Sequence, residues 1–181
     1  MFGDYFDESH PYPSFNVRDL DTQDDQVRAD MLRTTKQGNF TLLIGHVIGV
    51  DHAGHTYSSS HSEIERKLRD TEKLIKDIIE EMDEDTVIMV FGDHGMTDDG
   101  NHGGASQTEL RSVLFAYSKK GFPMKTRLPK SEYLDSNVKQ VDLASFASSI
   151  LSLALPFQNL GVLHPYFFMD SNLGDLSDKM N

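Results

Sequence analysis

Two apolar runs on either side of one long amphipathic segment constrain the fold of this chain most strongly. Residues 41–50 (TLLIGHVIGV) and 86–91 (TVIMVF) are almost continuously apolar and rich in Ile and Val, which is the pattern of strands covered on both faces. Residues 62–82, between them, repeat apolar side chains at helical spacing. Strand, helix and strand in succession predict a right-handed crossover and an α/β fold, with a mainly parallel sheet and helices on both faces.

Other segments extend this prediction. Helices are expected over residues 24–36, ending at Gly38, and over residues 142–155, ending at Pro156. A third strand is expected over residues 112–117. The predicted starts of the first and the long helix are the pairs Thr22 with Asp25 and Ser62 with Glu65. The predicted apolar face of the long helix consists of Ile64, Leu68, Ile75, Ile78, Ile79 and Met82. Residues 1–21 and 118–140 are expected to be loops.

Charge and composition exclude several classes of protein. The 17 Lys and Arg residues against 29 Asp and Glu residues give a net charge of −12, which disfavours binding to nucleic acid. The absence of cysteine excludes disulfides and thiolate metal sites. No apolar run has the roughly 18 to 20 residues that a membrane-spanning helix needs.

Histidines are concentrated in one part of the chain, where carboxylates accompany them. Six of the eight lie between residues 46 and 102, namely His46, His52, His55, His61, His94 and His102. In open α/β sheets, ligands bind beyond the carboxyl ends of the strands. Each of the two apolar runs ends in an Asp and His pair, and imidazoles with carboxylates are metal ligands. A metal site is therefore predicted there.

The spacing of these residues sets how they could converge. Asp51 and His55 are four residues apart, so one helical turn after the first strand would place them on one side. Asp93 and His94 are adjacent and would face opposite ways in an unbroken strand, so the chain must bend there to use both. His102 adds an imidazole on a glycine-rich loop.

The remaining histidines are weaker candidates. His52 follows a candidate ligand, and its ring either supports that ligand or faces solvent. His46 is expected to be a hydrogen-bonded core residue, His10 and His61 to lie on the surface, and His164 in a loop.

Three motifs and four longer stretches give the chain a recognisable family likeness. The motifs are D-x-x-x-H (residues 51–55), D-H-G-M (93–96) and H-G-G (102–104). The stretches are PSFNVRDLDT (13–22), GHVIGVDHAGH (45–55), GDHGMTDDGNHGG (92–104) and FQNLG (157–161). The motifs resemble those of the alkaline phosphatase superfamily, and the stretches are similar to those of glycosylphosphatidylinositol (GPI) ethanolamine phosphate transferases.

This resemblance implies a two-metal centre and a reaction. Asp51, His55 and His102 would hold the first ion, and Asp93 with His94 would hold the second. Zinc suits these ligands, and manganese is the alternative. The implied reaction moves phosphoethanolamine from phosphatidylethanolamine to a mannose of the GPI precursor, through a phosphorylated threonine. That threonine and a further aspartate ligand are expected upstream of this chain.

The resemblance also implies a setting for the chain. Residues 1–169 would be the C-terminal portion of a catalytic domain in the lumen of the endoplasmic reticulum, and residues 170–181 a polar tail. Membrane attachment through other segments and a small membrane partner subunit are expected. Asn39 begins a glycosylation sequon that is compatible with a lumenal domain.

Two other functions remain open at the level of the sequence. One is a soluble metal-dependent phosphodiesterase or phosphomutase of the same superfamily, because the metal residues are shared. The other is a non-catalytic metal-binding module, because no residue in this chain fits the nucleophile.

Overall fold

The structure is a computed structural model that describes residues 3–121 and 137–163 of the chain. In these residues the elements are a 3-10 turn (Gly3–Tyr5), α1 (Thr22–Gln37), α2 (Gly49–Tyr57), α3 (Ser62–Glu81), β1 (Val87–Phe91), α4 (Gln107–Leu110), β2 (Leu114–Ser118) and α5 (Asp142–Ile150). They belong to two units, one of residues 1–83 and 88–115 and the other of residues 84–87 and 116–181. The described residues thus contain both helices and strands, which is the coarser part of the predicted class.

The first unit is organised around α3, which packs against both α1 and α2. Its buried apolar side chains are Leu20, Ala53, Leu74, Ile78 and Met82. The predicted face of this helix is correct at Ile78 and Met82 but wrong at Leu68, which is more than half exposed. The buried face of α3 contains Leu74 and Ile78, and one helical repeat earlier it contains Lys67 rather than Leu68. Leu68 therefore lies at the edge of this face and is exposed.

The helix starts differ from the predicted capping pairs. α1 begins after Asp21, and the carboxylate of Asp19 accepts hydrogen bonds from the N–H groups of Asp21 and Thr22. α3 begins after His61, whose Nδ1 accepts from Glu63 N at 3.2 Å, so Ser62 is not the cap. In both cases a neighbouring acceptor satisfies the first free N–H groups. The predicted end of α1 is correct, because Gly38 adopts a φ of 65° and donates to Thr34 O.

The predicted strand over residues 41–50 is wrong. Residues 41–48 have no regular structure, and Gly49 and Val50 already belong to α2. A strand requires a hydrogen-bonded neighbour, and within the described residues none pairs with this segment. Leu42 and Ile44 are more than half exposed, so the apolar run has no covering layer there.

The other two predicted strands are present as β1 and β2, each shifted by no more than two residues at a boundary. Together they form a two-stranded sheet. Gly92 N donates to Val113 O, so the end of β1 lies beside the start of β2 and the pairing is antiparallel. The described residues therefore do not show the predicted parallel arrangement.

In the second unit, α5 is shorter than the predicted helix over residues 142–155. It ends at Ile150, Ser152 adopts a φ of 55°, and Leu153 N donates to Ser148 O. The helix therefore ends before Pro156, and Phe146 is its buried apolar residue. Among residues 3–121 and 137–163, no helix is long and apolar enough to cross a bilayer. Most of the predicted connection, His164 and the tail over residues 170–181 lie outside the described residues.

Candidate metal centre

Helix α2 carries two of the predicted ligands on one side. Asp51 lies in its first turn and His55 one turn later, with His55 Nε2 3.5 Å from Asp51 Oδ2. The predicted helical turn is thus present, and it begins two residues before Asp51. The i, i+4 spacing brings the carboxylate and the imidazole together without any long-range contact.

His102 joins this pair from the loop that follows β1. Its Nε2 lies 3.3 Å from Asp51 Oδ1, and the rings of His102 and His55 have centroids 4.9 Å apart. Asp51, His55 and His102 form the one group of three such side chains in the described part of the chain whose ligand atoms all lie within 4.8 Å of one another. We call these three residues the triad.

The geometry of the triad fits a divalent ion. Asp51 Oδ1 is buried and accepts no hydrogen bond, and a buried unsatisfied carboxylate oxygen costs free energy. Tetrahedral zinc at about 2.0–2.1 Å from its ligands separates those ligands by about 3.3–3.4 Å. His102 Nε2 lies 3.3 Å from Asp51 Oδ1 and His55 Nε2 lies 3.5 Å from Asp51 Oδ2, so each imidazole is near that spacing from a different oxygen of the carboxylate. Two imidazole nitrogens and one carboxylate oxygen suit zinc, and they also accept manganese.

The second predicted pair lies beside the triad but is arranged differently. The ring of His94 stacks on that of His102, with centroids 3.8 Å apart. His94 Nδ1 lies 2.8 Å from Gly95 O, and because a carbonyl only accepts, Nδ1 is the donor, which in a neutral imidazole leaves the lone pair on Nε2. Asp93 Oδ1 accepts from His94 N, lies 3.8 Å from His94 Nε2, and belongs to a side chain that is 66% exposed.

Glycines dock the loop of His102 against α2. Gly100 has a φ of 85°, and a side chain there would collide with the carbonyl oxygen of Gly54. A side chain at Gly54 would in turn collide with Met96. The N–H and hydroxyl of Ser59 both donate to Asp98 O. Close backbone approach therefore fixes the distance between the loop and the helix that share the triad.

His52 has a different role from either predicted one. It is buried, and its two ring nitrogens lie 3.0 Å from Asp19 O and 3.1 Å from Ser14 O. The ring thus joins α2 to residues 14–19 through backbone carbonyls, and none of these contacts is to a ligand. His46 is exposed rather than a core residue, while His10 and His61 are exposed as predicted.

A buried ion pair near the start of α2 was missed at the level of the sequence. Lys67 is only 2% exposed, and its Nζ lies 2.8 Å from Asp24 Oδ2. Burial lowers the pKa of Lys67, but the hydrogen bonds and charges of Asp24 and Asp21 outweigh burial and hold the pKa above its usual value. The sequence held one indication of this pair: Lys67 lies on the same face of α3 as Leu74 and Ile78, where an apolar residue is expected.

Comparison with known proteins identifies the family. Residues 4–140 match the family described as type I phosphodiesterase / nucleotide pyrophosphatase. The chain belongs to this phosphodiesterase family. All five predicted metal ligands fall inside the matched residues. No solved structure matches the chain.

Curated relatives of this phosphodiesterase-family chain are named as GPI ethanolamine phosphate transferases. The chain is 37% identical over 161 residues to the human "GPI ethanolamine phosphate transferase 3, catalytic subunit", covering 89% of this chain and 14% of that protein. It is 39% identical over 186 residues to "GPI ethanolamine phosphate transferase 3" of Schizosaccharomyces pombe, covering 100% of this chain and 20% of that protein. The predicted resemblance is confirmed. The chain spans one fifth or less of the length of these relatives.

Proposed function

We propose that this chain forms the metal-binding part of a catalytic centre that transfers phosphoethanolamine from phosphatidylethanolamine to a mannose of the GPI anchor precursor. The convergence of the triad around the unsatisfied oxygen of Asp51 carries the proposal. The family match and the shared name of the relatives support the reaction class.

In this proposal, Asp51, His55 and His102 hold the first ion, and Asp93 and His94 contribute to a second. Held by these residues, divalent ions would supply polarisation of the phosphoryl oxygens and would lower the pKa of the attacking hydroxyl. Within the chain, α2 orients Asp51 and His55, and Gly95 O fixes the proton of His94 on Nδ1 so that Nε2 faces away with its lone pair. Zinc is the proposed metal, with manganese as the alternative.

The proposed setting is a larger enzyme of the endoplasmic reticulum membrane. Residues 1–169 would be the C-terminal portion of its lumenal catalytic domain and residues 170–181 a polar tail. The nucleophilic threonine, the membrane segments and a small partner subunit would come from elsewhere. Asn39 is exposed directly after α1, which is compatible with glycosylation in the lumen.

A chimera tests this function. The Saccharomyces cerevisiae "GPI ethanolamine phosphate transferase 3" is 37% identical to this chain over 163 residues. We expect yeast lacking that enzyme to recover phosphoethanolamine on its GPI precursors when the matching segment is replaced by this chain. The same chimera carrying Asp51→Asn should fail, whereas one carrying His46→Ala should succeed, because His46 lies outside the triad. Recovery that persists in a chimera with all three triad residues substituted would overturn the proposal.

Hydrolysis is the second candidate, and the description of the matched family favours it. In that reaction water replaces the mannose hydroxyl as acceptor. A chimera that cleaves bis(p-nitrophenyl) phosphate in a triad-dependent manner, without restoring modified GPI precursors, would identify a phosphodiesterase instead.

A further inference from the structure

The start of α2 is capped by a residue from another helix. Ile48, which precedes α2, provides no side-chain cap. Asp24 of α1 supplies the acceptors instead: its Oδ1 accepts from Ile48 N at 2.8 Å and from Gly49 N at 3.1 Å. These are two of the N–H groups that a helix start leaves without internal partners. A carboxylate there also interacts favourably with the helix dipole.

The side chain of Lys67 fixes that carboxylate from a third helix. Its Nζ lies 2.8 Å from Asp24 Oδ2 and 3.2 Å from Asp21 Oδ1, and the Asp24 side chain is only 12% exposed. A buried ammonium beside a largely buried carboxylate has few alternative arrangements, because separating the two removes the closest opposite charge from each in a place that water hardly reaches. The Asp24–Lys67 pair therefore joins α1 and α3 at the first turn of α2.

Gly49 shows how closely this pair packs on the helix. A side chain at this position would collide with the Cε of Lys67 and the carboxylate of Asp24, and would also press on the carbonyl oxygen of Leu20. No space separates the ion pair from the backbone of α2. Asp51 follows two residues later in the same turn.

We propose that Asp24 and Lys67 are positioning residues that hold the first turn of α2, and through it Asp51 and His55, in the geometry that binds the metal. Neither residue is a ligand, and neither belongs to the motifs that carry the family resemblance at the metal site. The metal-binding part of this inference rests on the proposed function, whereas the holding of α2 does not. If Lys67 acted only by its charge, its removal would tighten zinc binding, because it would remove a cation from the surroundings of a cation site. A positioning role predicts the opposite sign.

The test uses Lys67→Met in the full 181-residue chain, with two readouts. In the metal-free chain, hydrogen exchange of the amides of residues 48–57 should accelerate about tenfold, while the amides at the centre of α3 should not change. In the chain with zinc, affinity measured against a chromophoric chelator should fall about 10–100-fold, as it does when the supports of metal ligands are removed. Circular dichroism verifies that the variant is folded.

Arg66→Gln is the matched control. It removes a positive charge from the adjacent position of α3, and Arg66 contacts Asp21, Glu63 and Asp70 but makes no such contact with Asp24. We expect both readouts to stay within about threefold of the wild type. Gly49→Ala is the second variant for the case in which Lys67→Met fails to fold. It disturbs the same contact without changing any charge, and it should also lower zinc affinity and α2 protection.

The outcomes separate this inference from the proposed function. Faster exchange in α2 together with weaker zinc binding supports it. Unchanged exchange in α2 overturns the holding of the helix, and faster exchange with unchanged or tighter zinc binding overturns the positioning of the ligands. If the wild-type chain binds no zinc, the proposed metal centre fails and the positioning of ligands fails with it. The exchange readout then still decides whether Asp24 and Lys67 hold α2.

Discussion

The triad and the Asp93–His94 pair are adjacent in space but differ in how the fold holds them. The side chains of the triad are each between 26% and 31% exposed, and their ligand atoms converge within 4.8 Å. Asp93 is 66% exposed and lies 3.8 Å from the ring nitrogen of its neighbour. The first set is thus an assembled group, and the second is a stacked imidazole beside a solvent-exposed carboxylate.

The difference has a local cause. Asp51 and His55 are placed by the period of a single helix, and only His102 must arrive from elsewhere. Asp93 and His94 are consecutive residues after a strand, so no regular backbone period brings both onto one side. The predicted bend is present, since β1 ends at Phe91 and the backbone bends at Asp93. It brings His94 against His102 but leaves Asp93 exposed.

The largest expected effect is the difference in zinc affinity between substitutions in the triad and substitutions in the Asp93–His94 pair. We expect the chain to bind one zinc ion tightly, because three protein ligands suffice for one ion and two do not. His102→Ala should lower the affinity for that ion by more than about 100-fold, because removing even a residue that only supports a ligand lowers metal affinity by about 10–100-fold. His94→Ala should change it by less than about threefold. Equilibrium dialysis measures both, with circular dichroism to verify the fold.

Two results would contradict this comparison. Two tight zinc ions per chain would show that Asp93 and His94 already form a complete second site. Equal losses in His94→Ala and His102→Ala would show that the stacked rings act as one unit rather than as members of separate sets.

An intermediate effect is expected where the loop of His102 meets α2. Gly100→Ala places a side chain against the carbonyl of Gly54 at a φ of 85°, whereas Gly103, with a φ of 98°, has nothing within 4 Å. Both substitutions carry the cost of a left-handed backbone, about 1–2 kcal/mol. Only Gly100→Ala must also move the loop away from the helix, so it alone should lower zinc affinity, by about tenfold. Chemical denaturation and zinc titration of both variants check this.

Gly103→Ala is therefore the matched control for backbone strain. Equal zinc affinities in the two variants would mean that the triad tolerates displacement of the loop. The contact between Gly54 and Gly100 would then serve stability alone.

Elements with a strong local period could be predicted from the sequence. α3 follows from apolar spacing, and the end of α1 follows from Gly38, which adopts the αL conformation. The triad pair on α2 follows from its four-residue spacing. The run over residues 41–50 failed as a strand because continuous apolarity reports burial potential, while a strand depends on partners that a local pattern does not contain.

The Asp24–Lys67 pair could not be predicted for a related reason. The pair depends on three segments that meet at the start of α2, and their contacting residues Asp24, Ile48 and Lys67 are far apart along the chain. Lys67, a charged residue on the apolar face of α3, was visible in the sequence. Nothing in the sequence indicated that Asp24 is its partner. The ring contacts of His52 with two backbone carbonyls are invisible for the same reason, because carbonyl positions are set by loop geometry.

The smallest expected effect concerns Glu109, which fastens the residues that follow His102. Its carboxylate accepts from the hydroxyl and N–H of Ser106 and from Gly104 N at 2.7 Å. The hydrogen bond from the Ser106 hydroxyl, with those from the two backbone N–H groups, lowers the pKa of Glu109 below its ordinary value of 4.5. Stability from a carboxylate whose pKa is lowered on folding is present above pH 4.5 and is lost as the pH falls through the folded pKa.

In the metal-free chain, the amide chemical shifts of Gly104 and Ser106 should therefore titrate with a midpoint below 4.5. Glu109→Gln should abolish that titration and change zinc affinity at neutral pH by less than about threefold, because the group is on the surface. Glu72→Gln is the control, since the pKa of Glu72 is also lowered, by Lys76 on α3, yet its loss should leave these two amides unchanged. Suppose instead that Glu109→Gln lowered zinc affinity as much as Gly100→Ala. The position of His102 would then depend on the hydrogen bonds of Glu109 to Gly104 and Ser106 rather than on the contact of the loop with α2. The triad would then be no more locally determined than Asp93 and His94.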